Sequence, residues 1–219
     1  MSDQLILKFP THQAYKKEDF YVSPSNREAY DFINSWPKWI KRIINIFGPA
    51  GSGKTHLASI LKNKTTFLQV DSNKLNQKTF LKFKTKEALI IENLDEKISE
   101  KLLFSLWNSV LQDNKYLLIT SKQPINSYKF KLRDLESRVN SSLTIGIKLP
   151  SDDLISVILA KNFSDKQIKV EKKHIDYIIK RIDRSYEKIS QFILTLDKYS
   201  LKKGSPFSLK LIKEVLKMI

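Results

Sequence analysis

One stretch of this sequence has the residue types and spacing of a phosphate-binding loop. It matches G-x-x-x-x-G-K-[ST] and reads Gly48, Pro49, Ala50, Gly51, Ser52, Gly53, Lys54 and Thr55. The glycines let the backbone curl so that its N–H groups converge on phosphate oxygens, and a following helix adds positive charge at its N-terminus. Lys54 is expected to reach the β- and γ-phosphates, and the Thr55 hydroxyl to bind Mg²⁺. The stretch therefore predicts a site for ATP or ADP with Mg²⁺.

The elements around this loop fit the motif, which requires a strand before it and a helix after it. Short apolar or β-branched runs predict strands at 43–47, 66–70, 88–91, 116–120 and 143–147. Segments of helix length lie between them, among them 54–62 and 99–112. The alternation predicts an α/β fold with a five-stranded parallel sheet flanked by helices. This context argues against a chance match.

The pattern changes after Pro150, where apolar residues recur only at helical spacing. Residues 175–182, 189–196 and 209–216 each present such a face, which predicts a small all-helical lid. Serine or aspartate at 151–153 can cap its first helix. The predicted organisation is an N-terminal peptide at 1–10, a nucleotide-binding α/β domain at 11–150 and a helical lid domain at 151–219.

The composition limits the classes of protein to consider. The chain has 219 residues and no cysteine, which excludes disulfides and thiolate metal sites. No apolar run is long enough to cross a bilayer, so we expect a soluble, cytoplasmic protein without a membrane partner. The formal net charge of +16 fits contact with nucleic acid, but the excess of lysine also fits an A/T-rich genome.

A second acidic position follows the third predicted strand. Leu89-Ile90-Ile91-Glu92 reads as an apolar strand that ends in an acid, from which Glu92 can orient Mg²⁺ and its waters. The alternative is that Glu92 only ends the strand and Asp95 takes this role. Asn93 stands where many related ATPases have a second acid that polarises water, and an amide cannot act as a base. We therefore expect weak or no intrinsic ATPase activity.

Taken together, these motifs resemble the AAA+ ATPases of the DnaA branch, most closely the Hda-type proteins that inactivate DnaA after replication begins. Trp36-Pro37-Lys38-Trp39 and the extended loop from Gly48 to Ala58 support the resemblance. It implies that residues near the start of the chain surround adenine, namely Phe20, Tyr21, Val22 and Asn26. His56 continues the loop motif and is included with the nucleotide-binding positions, without chemistry of its own.

The resemblance also implies roles for residues further along the chain. Thr120 and Ser121 match the first sensor strand, where a hydroxyl detects the γ-phosphate; a plain strand end is the alternative. Asp134-Leu135-Glu136-Ser137-Arg138 matches the D-L-x-S-R box, whose arginine acts in trans as a finger on a neighbour's nucleotide. The alternative for Arg138 is a surface ion pair.

The lid departs from the family pattern at the second sensor. Glu187 stands at the position that normally carries the sensor arginine, and Arg184 or Lys188 takes its place only if the register differs. Without either residue the γ-phosphate lacks a cation. That arrangement fits a protein that rests with ADP.

The N-terminal peptide resembles the Q-L-x-L-x-[LF] motif with which bacterial proteins bind the sliding clamp, the β subunit of DNA polymerase III. An extended peptide inserts apolar side chains into a pocket while a glutamine amide binds at its rim. The residues concerned are Gln4, Leu5, Leu7 and Phe9. The alternative is a first strand packed on the core.

The resemblance therefore predicts a replisome- or nucleoid-associated regulator that docks on the clamp and promotes hydrolysis of DnaA-bound ATP. Its expected partners are DnaA and the clamp, with indirect DNA contact, and a homodimer stays open. One alternative is an initiator or helicase loader that binds DNA directly; the end of the chain soon after the lid and the short segment 71–87 count against it. A small-molecule kinase is disfavoured by the D-L-x-S-R box.

Overall fold

The computed structural model describes residues 20–165, 168, 170–203 and 208–219. Its strands form one five-stranded parallel sheet in the order β2-β3-β4-β1-β5. The strand bounds are β1 (Ile43–Phe47), β2 (Phe67–Asp71), β3 (Ala88–Leu94), β4 (Tyr116–Ser121) and β5 (Leu143–Gly146). The predicted α/β fold with a five-stranded parallel sheet is confirmed.

Helices connect the strands and form the C-terminal part of the described chain. Those of the α/β part are α1 (Arg27–Asn34), α2 (Lys54–Lys62), α3 (Gln77–Phe83), α4 (Glu100–Gln112) and α5 (Arg133–Asn140). Those that follow the sheet are α6 (Asp152–Asp165), α7 (Lys172–Ile179), α8 (Tyr186–Lys203) and α9 (Leu209–Leu216). In the described residues no helix combines the length and the apolar character needed to cross a membrane.

The two faces of the sheet are buried against different helices. Ile44, Ile46 and Ile90 pack with α1 and α2 on one face. Leu89 and Ile91 pack with α4 and α5 on the other. Alternation of side chains along a strand separates the two sets, and strands buried on both faces read as continuous apolar runs. This explains why the strands were visible in the sequence.

The helices after the sheet share a third buried cluster, which includes Leu159, Ile178, Phe192 and Val215. Helix α6 begins where the sequence predicted a cap, because the Ser151 hydroxyl accepts a hydrogen bond from the Leu154 N–H at 3.3 Å. The helical lid is thus present in the fold. Its status as a separate domain, with boundaries at 150 and 151, stays a prediction.

Strand β3 runs three residues beyond the predicted 88–91 because it contains a bulge. Ile91 pairs with Ile119 and Leu94 with Ser121, so β3 carries an extra residue between these pairs. Asn93 lies in the bulge with φ of 56°, a left-handed conformation that asparagine tolerates better than most residues.

Candidate nucleotide-binding site

The phosphate loop joins the end of β1 to the start of α2. Gly53 precedes the helix in a left-handed conformation with φ of 91°, and no described side chain caps the helix start. A Cβ at Gly53 would lie 2.9 Å from Cε2 of Phe20. Glycine is therefore required for backbone conformation and for close packing. The uncapped N–H groups of α2 are a ready anion site.

Lys54 lies inside this loop and is only 8% exposed. Its ammonium donates to the carbonyl oxygens of Gly48 and Pro49, each at 2.8 Å. The Ser52 hydroxyl lies 3.5 Å from the same nitrogen. The loop therefore holds a cation at its centre, with the helix start beside it.

Burial is the main reason why the pKa of Lys54 is lowered to about 8, and the nearby charge of Lys122 adds to the effect. Lys122 follows β4 and lines the same cleft as the loop. Both features favour an anionic ligand, because a polyphosphate relieves the repulsion between two ammonium groups and stabilises the protonated form of Lys54.

The loop forms one wall of a cleft of about 820 Å³ between the sheet and the lid. This volume lies within the range of about 300–1,000 Å³ of small-molecule sites. The predicted residues that line the cleft are Phe20, Tyr21, Asn26, Ala50, Gly51, Ser52, Gly53, Lys54, Thr55 and His56. The structure thus brings most of the predicted nucleotide-binding positions together, although their contact with a nucleotide stays a prediction.

The predicted adenine segment is built on aromatic packing and one buried amide. Phe20 stacks on Tyr30 with 5.5 Å between ring centroids and meets the His56 ring edge-on at 5.2 Å. Asn26, only 4% exposed, donates to the Tyr21 carbonyl at 3.0 Å and accepts from the Ser23 N–H at 2.8 Å. Asn26 therefore shapes the segment. Val22 is half-buried but is not among the cleft-lining residues.

The lid supplies part of the cleft that the sequence did not reveal. Leu154, Val157 and Ile158 of α6 line it and add apolar surface to the cleft. Tyr186 ties the lid to the loop, because a Cβ on Gly51 would lie 3.1 Å from that of Tyr186, and the Tyr186 hydroxyl donates to the Lys148 carbonyl at 3.3 Å. The helical faces predicted from the sequence, at 175–182, 189–196 and 209–216, did not include these residues.

The two candidate Mg²⁺ residues lie on different elements, and of the two only Thr55 is among the cleft-lining residues. Thr55 is in the first turn of α2, and Glu92 lies in β3 on the sheet face that packs against α2, two residues after Ile90. Gln69 donates to Glu92 Oε2 at 2.7 Å, whereas buried Glu92 Oε1 has no hydrogen-bond partner among the described residues. A carboxylate oxygen and a hydroxyl fit Mg²⁺, which when bound would neutralise phosphate charge.

Asn93 faces the cleft and is fixed by its neighbours. Its side-chain amide donates to Asp71 Oδ2 at 2.8 Å, and its N–H donates to Thr120 Oγ1 at 3.2 Å. One of the two amide N–H donors binds Asp71, which leaves the second N–H and the amide oxygen to meet a water. Asn93 can orient a water in this way but cannot deprotonate it.

The two predicted sensor hydroxyls are buried and lie outside the set of cleft-lining residues. Thr120 accepts the bond from Asn93, which links it to the cleft indirectly. Ser121 donates to the Gln123 carbonyl at 2.6 Å and accepts from the buried Asn45 amide at 2.8 Å. Their contacts are structural in this state, and their role as sensors stays a prediction.

The two lid cations considered for the second sensor, Arg184 and Lys188, bind groups outside the cleft. Arg184 forms a bidentate ion pair with Asp152, both at 3.0 Å, and Lys188 donates to the backbone carbonyl of Ile219. Glu187 is exposed. None of these side chains lines the cleft, whereas Lys122, which the sequence did not single out, does.

Arg138 lies in the last turn of α5 and is not among the cleft-lining residues. Leu135 and Val139 of the same helix pack on the sheet face opposite α2. The Arg138 guanidinium lies over the Phe104 ring, 5.1 Å from its centroid. Across residues 20–165, no ion pair joins Arg138 to Asp134 or Glu136. The clamp-binding residues Gln4, Leu5, Leu7 and Phe9 lie outside the described residues.

The strand order, the loop between β1 and α2 and the helical lid define a AAA+ P-loop fold. No family model matches the chain. Among curated proteins it is similar to the chromosomal replication initiator DnaA of Borrelia turicatae, with 28% identity over 234 residues, covering 92% of this chain and 48% of the relative. The chain spans about half the length of the curated relatives it matches.

Solved structures agree with this similarity. Domain III of the Thermotoga maritima replication initiation protein DnaA superimposes with a TM-score of 0.75 at 20% identity, covering 95% of this chain and 98% of that one. A replication initiator DnaA bound to AMPPCP and single-stranded DNA gives a TM-score of 0.68 at 18% identity, covering 87% and 68%. The chain therefore contains a domain homologous to the AAA+ domain of DnaA.

Proposed function

We propose that this protein regulates the initiation of chromosome replication by promoting hydrolysis of ATP bound to DnaA. It binds ADP or ATP with Mg²⁺ in its own cleft, docks on the sliding clamp through Gln4–Phe9 and presents Arg138 to the nucleotide of DnaA. The homology to DnaA supports this proposal, since AAA+ domains of one type can pair head to tail, the cleft of one against the finger of the next.

The observation that carries the proposal is the placement of Arg138. It lies on the sheet face opposite α2 and does not line the chain's own cleft. Its guanidinium rests on an aromatic ring and forms no described ion pair with a carboxylate. A half-buried arginine held in this way is available to a neighbour's phosphate, where it would stabilise transition-state charge.

The chain's own cleft supports a binding role more than a catalytic one. Asn93 replaces a general base, and Arg184 is paired with Asp152 outside the cleft. Lys54, Lys122 and the α2 N-terminus still favour a polyphosphate. A similar DnaA structure holds AMPPCP, which supports an adenine nucleotide as the ligand.

The central experiment measures hydrolysis of ATP preloaded on DnaA, with clamp loaded on DNA and this protein added. Arg138→Ala is expected to reduce the stimulated rate by about three to five orders of magnitude, as for other fingers. Arg133→Ala is the matched control, because it removes an exposed arginine from the same helix. Equal rates for wild type and Arg138→Ala would refute the proposal.

The clamp-docking step needs its own comparison. A Gln4/Leu7/Phe9 triple alanine variant should lose the dependence of the rate on clamp, while a Thr11/His12/Gln13 triple alanine variant, outside the motif, should keep it. Direct clamp binding by surface plasmon resonance should separate the same two variants. Equal clamp binding would show that Gln4–Phe9 serves another purpose.

A second candidate function, direct DNA binding, rests on one observation. The segment between Asp71 and Glu87 contains no acid and carries a lysine cluster, most of it exposed, at Lys74, Lys78, Lys82, Lys84 and Lys86. Such clusters bind phosphate backbones in a salt-dependent way. If the protein binds DNA directly, a Lys74/Lys78/Lys82 triple glutamine variant should bind single-stranded DNA more weakly, measured by fluorescence anisotropy. Unchanged binding would argue against this candidate function.

A further inference from the structure

Helix α4 makes contacts at both ends of α5, the helix that carries Arg138. Near its start, Glu100 reaches the chain just before α5, and one turn later Phe104 lies under the Arg138 guanidinium. Residues four apart lie on the same face of a helix. A single face of α4 therefore contacts the entrance of α5 and its last turn.

The contact at the entrance is made by a carboxylate with backbone donors. Glu100 Oε2 accepts from the N–H groups of Lys131 at 3.0 Å and Leu132 at 2.9 Å. Glu100 Oε1 lies 3.1 Å from the Lys131 nitrogen. These bonds lower the pKa of Glu100, because backbone donors stabilise the charged form of the carboxylate. Leu132 directly precedes α5, so the bonds fix where this helix begins.

The contact at the other end is made by an aromatic face. The Arg138 guanidinium carbon lies 5.1 Å from the Phe104 centroid, within the range of about 6 Å for a cation–π interaction. Phe104 packs on the core cluster that also contains Leu135 and Val139 of α5. The ring therefore has a fixed support, and it limits the rotamers of a long side chain.

From these contacts we infer that Glu100 and Phe104 are positioning residues that hold the Arg138 finger in its working geometry before a partner arrives. The inference rests on the proposed function, since it names what prepares the finger for the nucleotide of DnaA. Preorganisation matters because a displacement of about 1 Å can cost about 100-fold in rate. Neither residue touches the nucleotide itself.

The test uses paired variants in the hydrolysis assay with ATP-loaded DnaA, clamp and DNA. Phe104→Leu keeps an apolar side chain without the ring, and Phe104→Tyr keeps the ring. We expect Phe104→Leu and Glu100→Gln each to lower the maximal rate of DnaA-bound ATP hydrolysis about three- to tenfold. The concentration of this protein that gives half of the maximal rate should stay unchanged. Phe104→Tyr should stay within about twofold of wild type. Glu28→Gln is the matched control, an exposed first-turn acid on α1.

Nuclear magnetic resonance gives a readout that does not depend on DnaA. The Nε–H signal of Arg138 should lose its ring-current shift in Phe104→Leu and keep it in Phe104→Tyr. Amide exchange at Lys131 and Leu132 should quicken in Glu100→Gln and stay unchanged in Glu28→Gln.

The outcomes separate this inference from the proposed function. If Arg138→Ala abolishes the stimulation of ATP hydrolysis but Glu100→Gln and Phe104→Leu match wild type, the positioning role is wrong. The proposed finger role of Arg138 is then still supported. Equal losses in Phe104→Leu and Phe104→Tyr, or a change confined to the half-saturating concentration, also overturn it. If Arg138→Ala has no effect, the proposed function itself fails.

Discussion

The cleft differs in construction from the surface that Glu100 and Phe104 of α4 form with Arg138 of α5, called here the α4–α5 face. The cleft gathers loop amides, Lys54, Lys122 and the lid of one chain around a single space. The α4–α5 face presents Arg138 on an aromatic support. The described cleft is lined by residues of one chain, whereas the proposed finger role of Arg138 requires a nucleotide bound to a neighbour.

The comparison teaches where catalytic power is kept. In the cleft, Asn93 presents an amide at the position considered for a base, and Arg184 of the lid is paired with Asp152. On the other sheet face, the Arg138 guanidinium lies over the Phe104 ring. The proposed function has two parts, binding of the chain's own nucleotide and action on that of DnaA, and each part can be tested separately.

Among the substitutions in the cleft, removal of Lys54 should weaken nucleotide binding the most. Lys54→Ala deletes the buried ammonium that two loop carbonyls now hold at 2.8 Å, and charge-assisted hydrogen bonds contribute about 1.5–3 kcal/mol each. We expect ADP affinity in the presence of Mg²⁺ to fall about 100-fold or more, measured by isothermal titration calorimetry.

The control for this prediction is Lys78→Ala, which removes an exposed lysine from α3. It should leave ADP affinity unchanged. Retained ADP affinity in Lys54→Ala would mean that the nucleotide binds elsewhere. The contrast between a nucleotide-binding cleft and an Arg138 that acts on another chain would then be wrong.

A carboxylate at position 93 should raise intrinsic ATP hydrolysis in the cleft, provided that Asp71 is changed at the same time. Asn93→Asp alone would place a carboxylate about where an amide lies 2.8 Å from Asp71 Oδ2, and two such charges repel. The Asp71→Asn/Asn93→Asp double variant reverses donor and acceptor and keeps the bond. We expect its single-turnover ATP hydrolysis to rise about tenfold or more, the modest end of general-base effects.

Asp71→Asn alone should show no gain, because it adds no base. If Asn93→Asp hydrolyses ATP as fast as the double variant, the Asp71 contact is irrelevant to the cleft. If neither rate rises, Asn93 is not what limits intrinsic hydrolysis.

The sequence revealed the cleft's loop because the motif and its flanking strand and helix are local features. The prediction of β1 at 43–47 and α2 at 54–62 is confirmed residue by residue. Lys122 and the α6 surface were missed because they meet the loop only through tertiary packing. Glu100 and Phe104 were missed for the same reason, since no motif links α4 to α5. The role of Gln4–Phe9 stays a prediction.

Titration of Lys54 should give the cleft a pH dependence that the finger lacks. The pKa of Lys54 is about 8, below the ordinary value of about 10.4, and bound polyphosphate stabilises its charged form. Above about pH 8, the pKa of Lys54 in the free protein, binding must take up a proton, so ADP affinity falls as pH rises. We expect ADP affinity to drop about tenfold between roughly pH 7.5 and 9.

Calorimetry in buffers with different ionisation enthalpies should detect that proton uptake. Lys54→Arg is the control, because a guanidinium stays charged throughout this range. A flat profile in wild type would show that Lys54 keeps its proton in the free protein.

Lys122 should make the smallest contribution, because it is exposed and water screens its charge. Lys122→Met removes the charge and keeps an unbranched side chain. Two opposing effects follow: the polyphosphate loses a cation, while the pKa of Lys54 rises because a repelling neighbour has gone. We expect ADP to bind about two- to fivefold more weakly near neutral pH, with the midpoint of the pH profile displaced upward. A Lys129→Met control, from an exposed position outside the cleft, should change neither quantity. If Lys122→Met shifts the midpoint without weakening ADP, Lys122 tunes Lys54 and does not contact the phosphates.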